Sequence, residues 1–196
     1  MGVSSNYISS SLTFSSDKII CQSSDWIGFD KEVMMDWEHP IMSASAAYVT
    51  QGGGDILEIG FGMGISAGYI QSHSISSHTI IENHPQIIEK LETWANGKSN
   101  VNIISQSWSD VTGSLSTYDG IFYDVDFDDN WNLFSSSLSS LTKSGTKLSV
   151  FNSVSNETND HNIEMSYRQI NITPEVSSSQ YFASGSTTYY MPMKEF

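Results

Sequence analysis

The chain predicts an α/β fold: a mostly parallel, twisted sheet with helices on both faces and a short antiparallel edge at its C-terminal end. Three observations predict it. Gly54-Asp55-Ile56-Leu57-Glu58-Ile59-Gly60-Phe61-Gly62-Met63-Gly64-Ile65 is a short apolar strand running directly into a glycine-rich turn. Some twenty residues on, His78-Thr79-Ile80-Ile81-Glu82 is a second apolar strand that ends on an acid. Beyond it, apolar strand-length runs alternate with helical patterns, the signature of parallel strands joined by crossover helices.

Each element can be justified in chain order. Residues 1–30 are rich in Ser with scattered apolar residues, and read as an N-terminal arm preceding a single domain over 31–196. From Lys31 to Thr50 the apolar positions Val33, Met34, Trp37, Ile41, Met42, Ala46 and Val49 recur at helical spacing, with Pro40 expected to break or kink the pattern near Glu38 and His39. Gln51-Gly52-Gly53-Gly54 stops that helix before the first strand. After the glycine turn come a helix over Ile65–Ser72, a strand over Thr79–Glu82 and a helix over Pro85–Trp94, with Pro85 near its first turn. Strands Val101–Ile104 and Tyr118–Tyr123, a helix around Trp131–Leu141 and a strand over Thr146–Phe151 follow. Gln169–Val176 and Ser186–Met193 read as an antiparallel edge pair.

Composition narrows the partners. At 196 residues the chain suits one domain with a sizeable core. A net charge of −14 with Arg168 as its one arginine argues against nucleic acid, whose binding needs clustered Lys and Arg. The acidity suits either solubility or a pocket that attracts a cation. No apolar run approaches the roughly 20 residues of a membrane span, so no membrane partner is expected. The N-terminus lacks the basic and apolar regions of a signal peptide, and a cytoplasmic setting is the expectation. Cys21 is the one cysteine, so neither an internal disulfide nor a cysteine-based zinc site is expected. Asp124-x-Asp126-x-Asp128-Asp129 begins like a calcium loop, but Asp129 stands where Gly is required and Ser135 where the closing Glu would be; no metal is expected. The histidines His73, His78 and His161 read as surface residues, with His39 and His84 bordering the site. The oligomeric state is left open.

In such sheets ligands bind beyond the carboxyl ends of the strands. Those ends are Gly60-Phe61-Gly62, Glu82, Ser107-Trp108, Asp124 and Asn152-Ser153. Glycines let backbone N–H groups approach an anionic ligand group, and a carboxylate at the end of the second strand can accept both hydroxyls of a ribose. A nucleoside cofactor is therefore expected. A nicotinamide dinucleotide is one rival, although its fingerprint would carry Gly or Ala where Ile65 stands. A turn that merely joins strand to helix is another.

The motifs then carry a resemblance. Val33-Met34-Met35-Asp36-Trp37-Glu38-His39-Pro40-Ile41-Met42 resembles the segment before the first strand in guanidinoacetate N-methyltransferases and the related fungal arginine N5-methyltransferases. Leu57 through Ile65, Ile80-Ile81-Glu82-Asn83-His84-Pro85, Trp108-Ser109-Asp110-Val111 and Asp119-Gly120-Ile121-Phe122-Tyr123-Asp124 continue it in family order over about residues 31–152. The fold this implies is the Rossmann-like class I methyltransferase fold, and the cofactor S-adenosylmethionine. By the same resemblance Gly60, Phe61, Gly62, Met63, Gly64 and Ile65 hold its methionine portion, Glu82 with Asn83 its ribose, and Ser107 with Trp108 its adenine end. Met34 and Met42 fall on pocket-lining positions, though methionine at helical spacing is equally at home in a core. Glu38 and Asp124 fall on the two guanidino-binding acids, with Asp124 also beside the cofactor, and Val154 and Ser155 on the substrate-contacting Thr-Ser pair. The chain departs from the family in carrying Asp126-Phe127 for Tyr-Pro and Val154 for Thr, in a shorter segment after Phe151, and in offering only Phe14 as a cofactor-covering aromatic.

The chemistry suits the acids. A guanidinium is planar with paired N–H donors, so a carboxylate can take it in a two-pronged fork. It has a pKa above about 12 and no available lone pair. One acid must therefore accept a proton as the nitrogen attacks; Asp124 is the candidate base, and Glu38 the residue that orients the group and balances its charge. The expected function is transfer of a methyl group to a guanidino nitrogen of a small molecule such as guanidinoacetate. The alternatives are methylation of arginine at its internal nitrogen and a non-catalytic module that binds the cofactor as a sensor. A cap at the Pro40 kink is the structural alternative for Glu38, and a plain strand-end acid that for Asp124.

Overall fold

In the computed structural model, residues 7–22, 31–125, 131–152, 163–173 and 186–196 are described. Seven strands form one sheet in the order β6-β5-β4-β7-β8-β10-β9. They are β4 (Asp55–Ile59), β5 (Ser77–Ile81), β6 (Val101–Ile104), β7 (Tyr118–Tyr123), β8 (Thr142–Val150), β9 (Ser166–Asn171) and β10 (Thr188–Glu195). The run from β6 to β8 is parallel, and β10 alone runs against both of its neighbours. The helices lying wholly among the described residues are α1 (His39–Val49), α2 (Ile65–Gln71), α3 (Pro85–Ala95), α4 (Trp108–Val111) and α5 (Trp131–Leu141).

The chain leaves β4 toward β5 on one side and returns through β7 on the other, so their carboxyl ends flank the switch point of the sheet. Register sets what meets there. Ile59 pairs with Tyr123 and Tyr123 with Val150, which places Gly60, Asp124 and Phe151 in one row just past the strands. Parallel strands covered on both faces are apolar nearly throughout, as Ile56, Leu57, Ile59, Ile80, Ile81, Ile121 and Phe122 show by being wholly buried. Gly120 allows one close approach: a Cβ there would lie 2.0 Å from the Val49 carbonyl oxygen. The end of α1 can therefore press onto β7, which helps set the segment bearing Glu38 over the strand ends.

The mostly parallel sheet with its antiparallel edge and the helix pattern agree with the sequence expectation, and most boundaries fall within a residue or two. The N-terminal part differs. Lys31–Met35 is a strand, β3, rather than the opening of a helix. It pairs antiparallel with β2 (Lys18–Cys21), which pairs with β1 (Leu12–Phe14), in a separate three-stranded sheet. Leu12, Ile19 and Cys21 pack with Phe61, Ala67, Ile80, Ile87 and Leu91, so the arm is part of the core. Asp36–Glu38 is a single 3-10 turn, and Pro40 sits in the first turn of α1, where its missing N–H has no intrahelical partner to lose. The short helix α4 had no periodic signal at four residues.

His78 is not a surface residue. It is fully buried, with Nε2 2.9 Å from Glu58 Oε2 on the adjacent strand, while the Ser66 hydroxyl donates to Glu58 Oε1. The Ser66 hydroxyl satisfies one Glu58 oxygen, and the other lies against the His78 ring without a hydrogen bond of good geometry. His73 is exposed, and His161 lies outside the described residues.

Candidate active site

A cavity of about 790 Å³, its open mouth included, lies over the carboxyl ends of β4, β5 and β7. Met34, Gly60, Phe61, Gly62, Glu82, Asn83, Ser107, Trp108 and Asp124 all reach its wall, as expected from sequence. Tyr7 does too.

The glycine turn is shaped by what crowds it. Gly60 has φ +91°, and a Cβ there would stand 2.1 Å from the Asp124 carbonyl oxygen. The Gly60 N–H donates to Ile81 O at 2.9 Å, and the Asp124 N–H to Ile59 O at 2.9 Å, so the ends of β4, β5 and β7 are tied across the switch point. At Gly62, with φ +54°, a Cβ would lie 2.5 Å from Met34 Sδ. Only a residue without a side chain lets the backbone approach the cavity at both positions.

Four expected cofactor contacts lie off the cavity wall. The Met63 N–H is turned to Met34 Sδ, 3.0 Å away. Gly64 closes the turn, donating to Phe61 O at 2.8 Å with φ +74°. Ile65 and Met42 pack in the core with Ala46, Ile56, Ile70 and Phe122. Met42 is thus a core methionine, because its helix face is turned to β4 and β7 rather than to the turn.

Glu82 is held by backbone donors. Its Oε2 accepts from the Phe61 N–H at 3.0 Å, and its Oε1 from the Asn83 and His84 N–H groups at 2.8 Å each. Burial nevertheless prevails and raises its carboxyl above the ordinary carboxylate range; the backbone donors, including those of His84, Phe61, Asn83 and Gly62, offset this only in part. Beside it His84 caps α3: Nδ1 accepts from the Gln86 N–H at 3.3 Å, which fixes the tautomer whose Nε2–H donates to Ser10 O at 3.1 Å. Burial lowers the His84 pKa below its usual value, so the ring stays neutral near pH 7. Tyr7 packs on that ring at 5.0 Å between centroids. Among the described residues of the arm, the aromatic that reaches the cavity is Tyr7; Phe14 instead lies under Lys90 Nζ at 4.2 Å.

Of the two acids, Asp124 lines the cavity and Glu38 does not. Glu38 is buried, and its Oε1 accepts the Met35 N–H at 2.8 Å, closing the 3-10 turn. The cap expected at the Pro40 kink is not made, since Glu38 at the N-cap of α1 forms no side-chain cap bond there and closes the preceding 3-10 turn instead; its charge is also felt elsewhere. The hydroxyl of Tyr189, on β10, has its pKa driven well above the usual tyrosine value, first by burial and then by the negative charges of Asp124 and Glu38, with the Asn152 backbone N–H acting in the opposite direction. Tyr189 is fully buried, stacks on Phe151 and packs with Ile41, three residues beyond Glu38. Sequence reasoning missed it, since nothing local separates a buried tyrosine in an edge-pair strand from any other. Val154 and Ser155 lie outside the described residues.

The chain's own features fit a nucleoside cofactor: two side-chain-free backbone approaches, a buried acid at the end of the second strand, and Trp108 on the far wall. The Glu82 carboxylate, once it accepts ribose hydroxyls, is favoured in its ionised form. Binding should therefore release a proton, and affinity for S-adenosylhomocysteine should weaken as pH falls through the raised Glu82 pKa. Calorimetry in buffers of different ionisation enthalpy checks this; binding that is independent of pH and buffer down to the ordinary carboxylate range would rule it out. Glu82→Ala should weaken the same ligand by about 10- to 100-fold through loss of charge-assisted hydrogen bonds.

Comparison with known proteins agrees with this geometry. Among solved structures, a precorrin-6y C5,15-methyltransferase from Geobacter metallireducens superposes with a TM-score of 0.59 at 13% identity, over 78% of this chain and 86% of that one. A putative caffeoyl-CoA O-methyltransferase from Staphylococcus aureus does so with a TM-score of 0.50 at 21% identity, over 58% and 57%. These likenesses show the Rossmann-like methyltransferase fold. The protein arginine N-methyltransferase 2 of Aspergillus fumigatus is 34% identical over 76% of this chain and 36% of its own length, and that of Kluyveromyces lactis 40% identical over 47% and 25%. The chain spans about a third of the length of the longest-matching of these relatives. The family described as guanidinoacetate N-methyltransferase matches residues 23–173. This chain belongs to that family.

Proposed function

We propose that the chain methylates a nitrogen of a small guanidino compound, guanidinoacetate or a molecule of similar size. The reading is supported by Asp124 standing on the cavity wall beside the glycine turn, and by the charges of Asp124 and Glu38, 86 positions apart in the sequence, both acting on the buried Tyr189 hydroxyl. Two carboxylates acting on one buried region favour a cation, and a planar one can satisfy both. The chain's overall charge of −14 draws such a cation from solution.

When bound, S-adenosylmethionine supplies an already activated methyl group. The chain's residues place the acceptor. Glu38 takes one edge of the guanidinium and is itself steadied by the Met35 N–H. Asp124, on the cavity wall and next to the glycine turn, accepts the proton that the attacking nitrogen gives up. In-line placement and exclusion of water supply the remainder.

Arginine is the second candidate acceptor, favoured by relatives named protein arginine N-methyltransferase 2. Titrations with S-adenosylmethionine, S-adenosylhomocysteine and NAD, each with guanidinoacetate, free arginine or an arginine peptide, distinguish the readings. Saturable binding of the sulfur nucleosides with methyl transfer to guanidinoacetate is the expected result. Transfer only to arginine would move the assignment to that acceptor. Binding without transfer to any guanidino compound would leave a non-catalytic sensor.

A further inference from the structure

Between the ribose-facing acid and the N-terminal arm stands a residue to which methyl transfer gives no part. His84 follows Glu82 by two positions and caps α3. It is only 1% exposed, so its polar atoms have to be satisfied inside the protein. Its backbone and ring nitrogens each reach a different segment. The backbone N–H donates to Glu82 Oε1 at 2.8 Å. Nδ1 accepts the Gln86 N–H at 3.3 Å, in the first turn of the helix. Nε2–H donates to the Ser10 carbonyl at 3.1 Å, 74 positions back in the sequence.

The arm is fastened to the same helix at a second point, where the Leu12 N–H donates to Gln86 Oε1 at 2.9 Å. Ser10 folds the chain back tightly, since its N–H and its hydroxyl both donate to the Tyr7 carbonyl, at 3.0 and 2.7 Å. That turn lays the Tyr7 ring against the His84 ring, 5.0 Å between centroids, and on the cavity wall that Glu82 shares. Tyr7, Ser10 and Leu12 are all buried. An unbroken line of contacts therefore runs from the Glu82 carboxylate through His84 and Ser10 to an aromatic ring on the same cavity.

We propose that His84 is a positioning residue of the cofactor site: its Nε2–H bond to Ser10 ties the arm to the segment bearing Glu82, and so holds Tyr7 as a wall of the pocket. The proposal rests on the nucleoside reading of the cavity. Such coupling is reciprocal: a ligand that packs against Tyr7 stabilises the tied arm, and the tied arm raises affinity for the ligand.

The test variant is His84→Asn in the full chain. Asparagine is a favoured helix cap, so its side-chain oxygen can keep the Gln86 N–H, but it is too short to reach Ser10. In the wild type, S-adenosylhomocysteine should bind saturably and slow hydrogen exchange at the Ser10 and Leu12 amides. In His84→Asn its affinity should fall about 3- to 10-fold, the range for loss of a neutral hydrogen bond, and both amides should exchange faster. His84→Gln, whose amide nitrogen can meet the Ser10 carbonyl, should return affinity toward wild type. Tyr7→Ala should also weaken the ligand, and adding His84→Asn to it should cost nothing further, because both act through one ring. Unchanged affinity in His84→Asn, or losses that add, would overturn the proposal and leave His84 a helix cap alone. Should His84→Asn fail to fold, Gln86→Ala at an exposed position unties Leu12 and should likewise speed arm exchange and weaken the ligand; no change in either overturns the proposal equally. A wild-type chain that binds no sulfur nucleoside would overturn the cofactor reading and this coupling together, whereas a wild type that binds no better than His84→Asn overturns the coupling alone.

Discussion

Asp124→Asn is expected to reduce methyl transfer by about 10²- to 10⁴-fold, the range for removing a general base, while S-adenosylhomocysteine affinity changes only several-fold. The amide has almost the same shape, and the bond that fixes the position, Asp124 N–H to Ile59 O, is made by the backbone and survives. What is lost is the capacity to take a proton and half of the negative charge that faces the guanidinium. Labelled-methyl transfer and calorimetry on the same preparation separate the two effects. Glu82→Ala should show the opposite pattern, with cofactor affinity impaired first. Exchange of these two phenotypes would refute the roles assigned to both acids. Glu38→Gln should fall between, because its cap to Met35 N–H needs only one oxygen.

Gly60→Ala is the second large effect. The new methyl carbon would lie 2.1 Å from the Asp124 carbonyl oxygen, a backbone atom that cannot swing aside as a side-chain tip would. At φ +91° an L-residue is strained regardless of space. Backbone strain of about 1–3 kcal/mol adds to the cost of forcing apart the ends of β4 and β7. A loss of roughly 2–5 kcal/mol in unfolding free energy is expected, together with loss of transfer, since Asp124 is the residue displaced. Gly68→Ala is the control. Nothing lies within 4 Å of a Cβ there, and the position is interior to α2. Alanine should therefore stabilise the protein by about 0.5–1 kcal/mol. Chemical denaturation of the two variants is decisive; equal stabilities would refute the packing account of the glycine turn.

The sheet and most of the cavity were legible in the sequence because both depend on local signals. Four-residue apolar runs between helical patterns located β4 to β7, and glycines next to a strand end have few other uses. The parts that were not legible depend on distant partners. Lys31–Met35 pairs with β2, and the alternation that would reveal it is blurred by a buried Glu32 and two adjacent methionines. His78 reads as an exposed residue in the sequence, because the Glu58 it meets lies on the neighbouring strand, two positions along from its register partner Ile56. Met34 and Met42 look alike in the sequence, eight positions apart, and share one core cluster, yet Met34 also touches the glycine turn and lines the cavity. Tyr189 becomes significant only when β10 is inserted next to β8, which brings it to Asn152 from 37 positions away.

That insertion has a consequence for how the molecule is made. β10 is the last strand in chain order, yet it lies between β8 and β9 rather than at the rim. As the polypeptide leaves the ribosome, the nucleoside-facing half from β4 to β7 has all its residues early, but β8 and β9 have no mutual contact until Thr188–Glu195 arrives to bridge them. The growing chain can therefore form its cofactor crevice well before the wall behind its acids exists, and the two halves of the pocket mature at different times during synthesis.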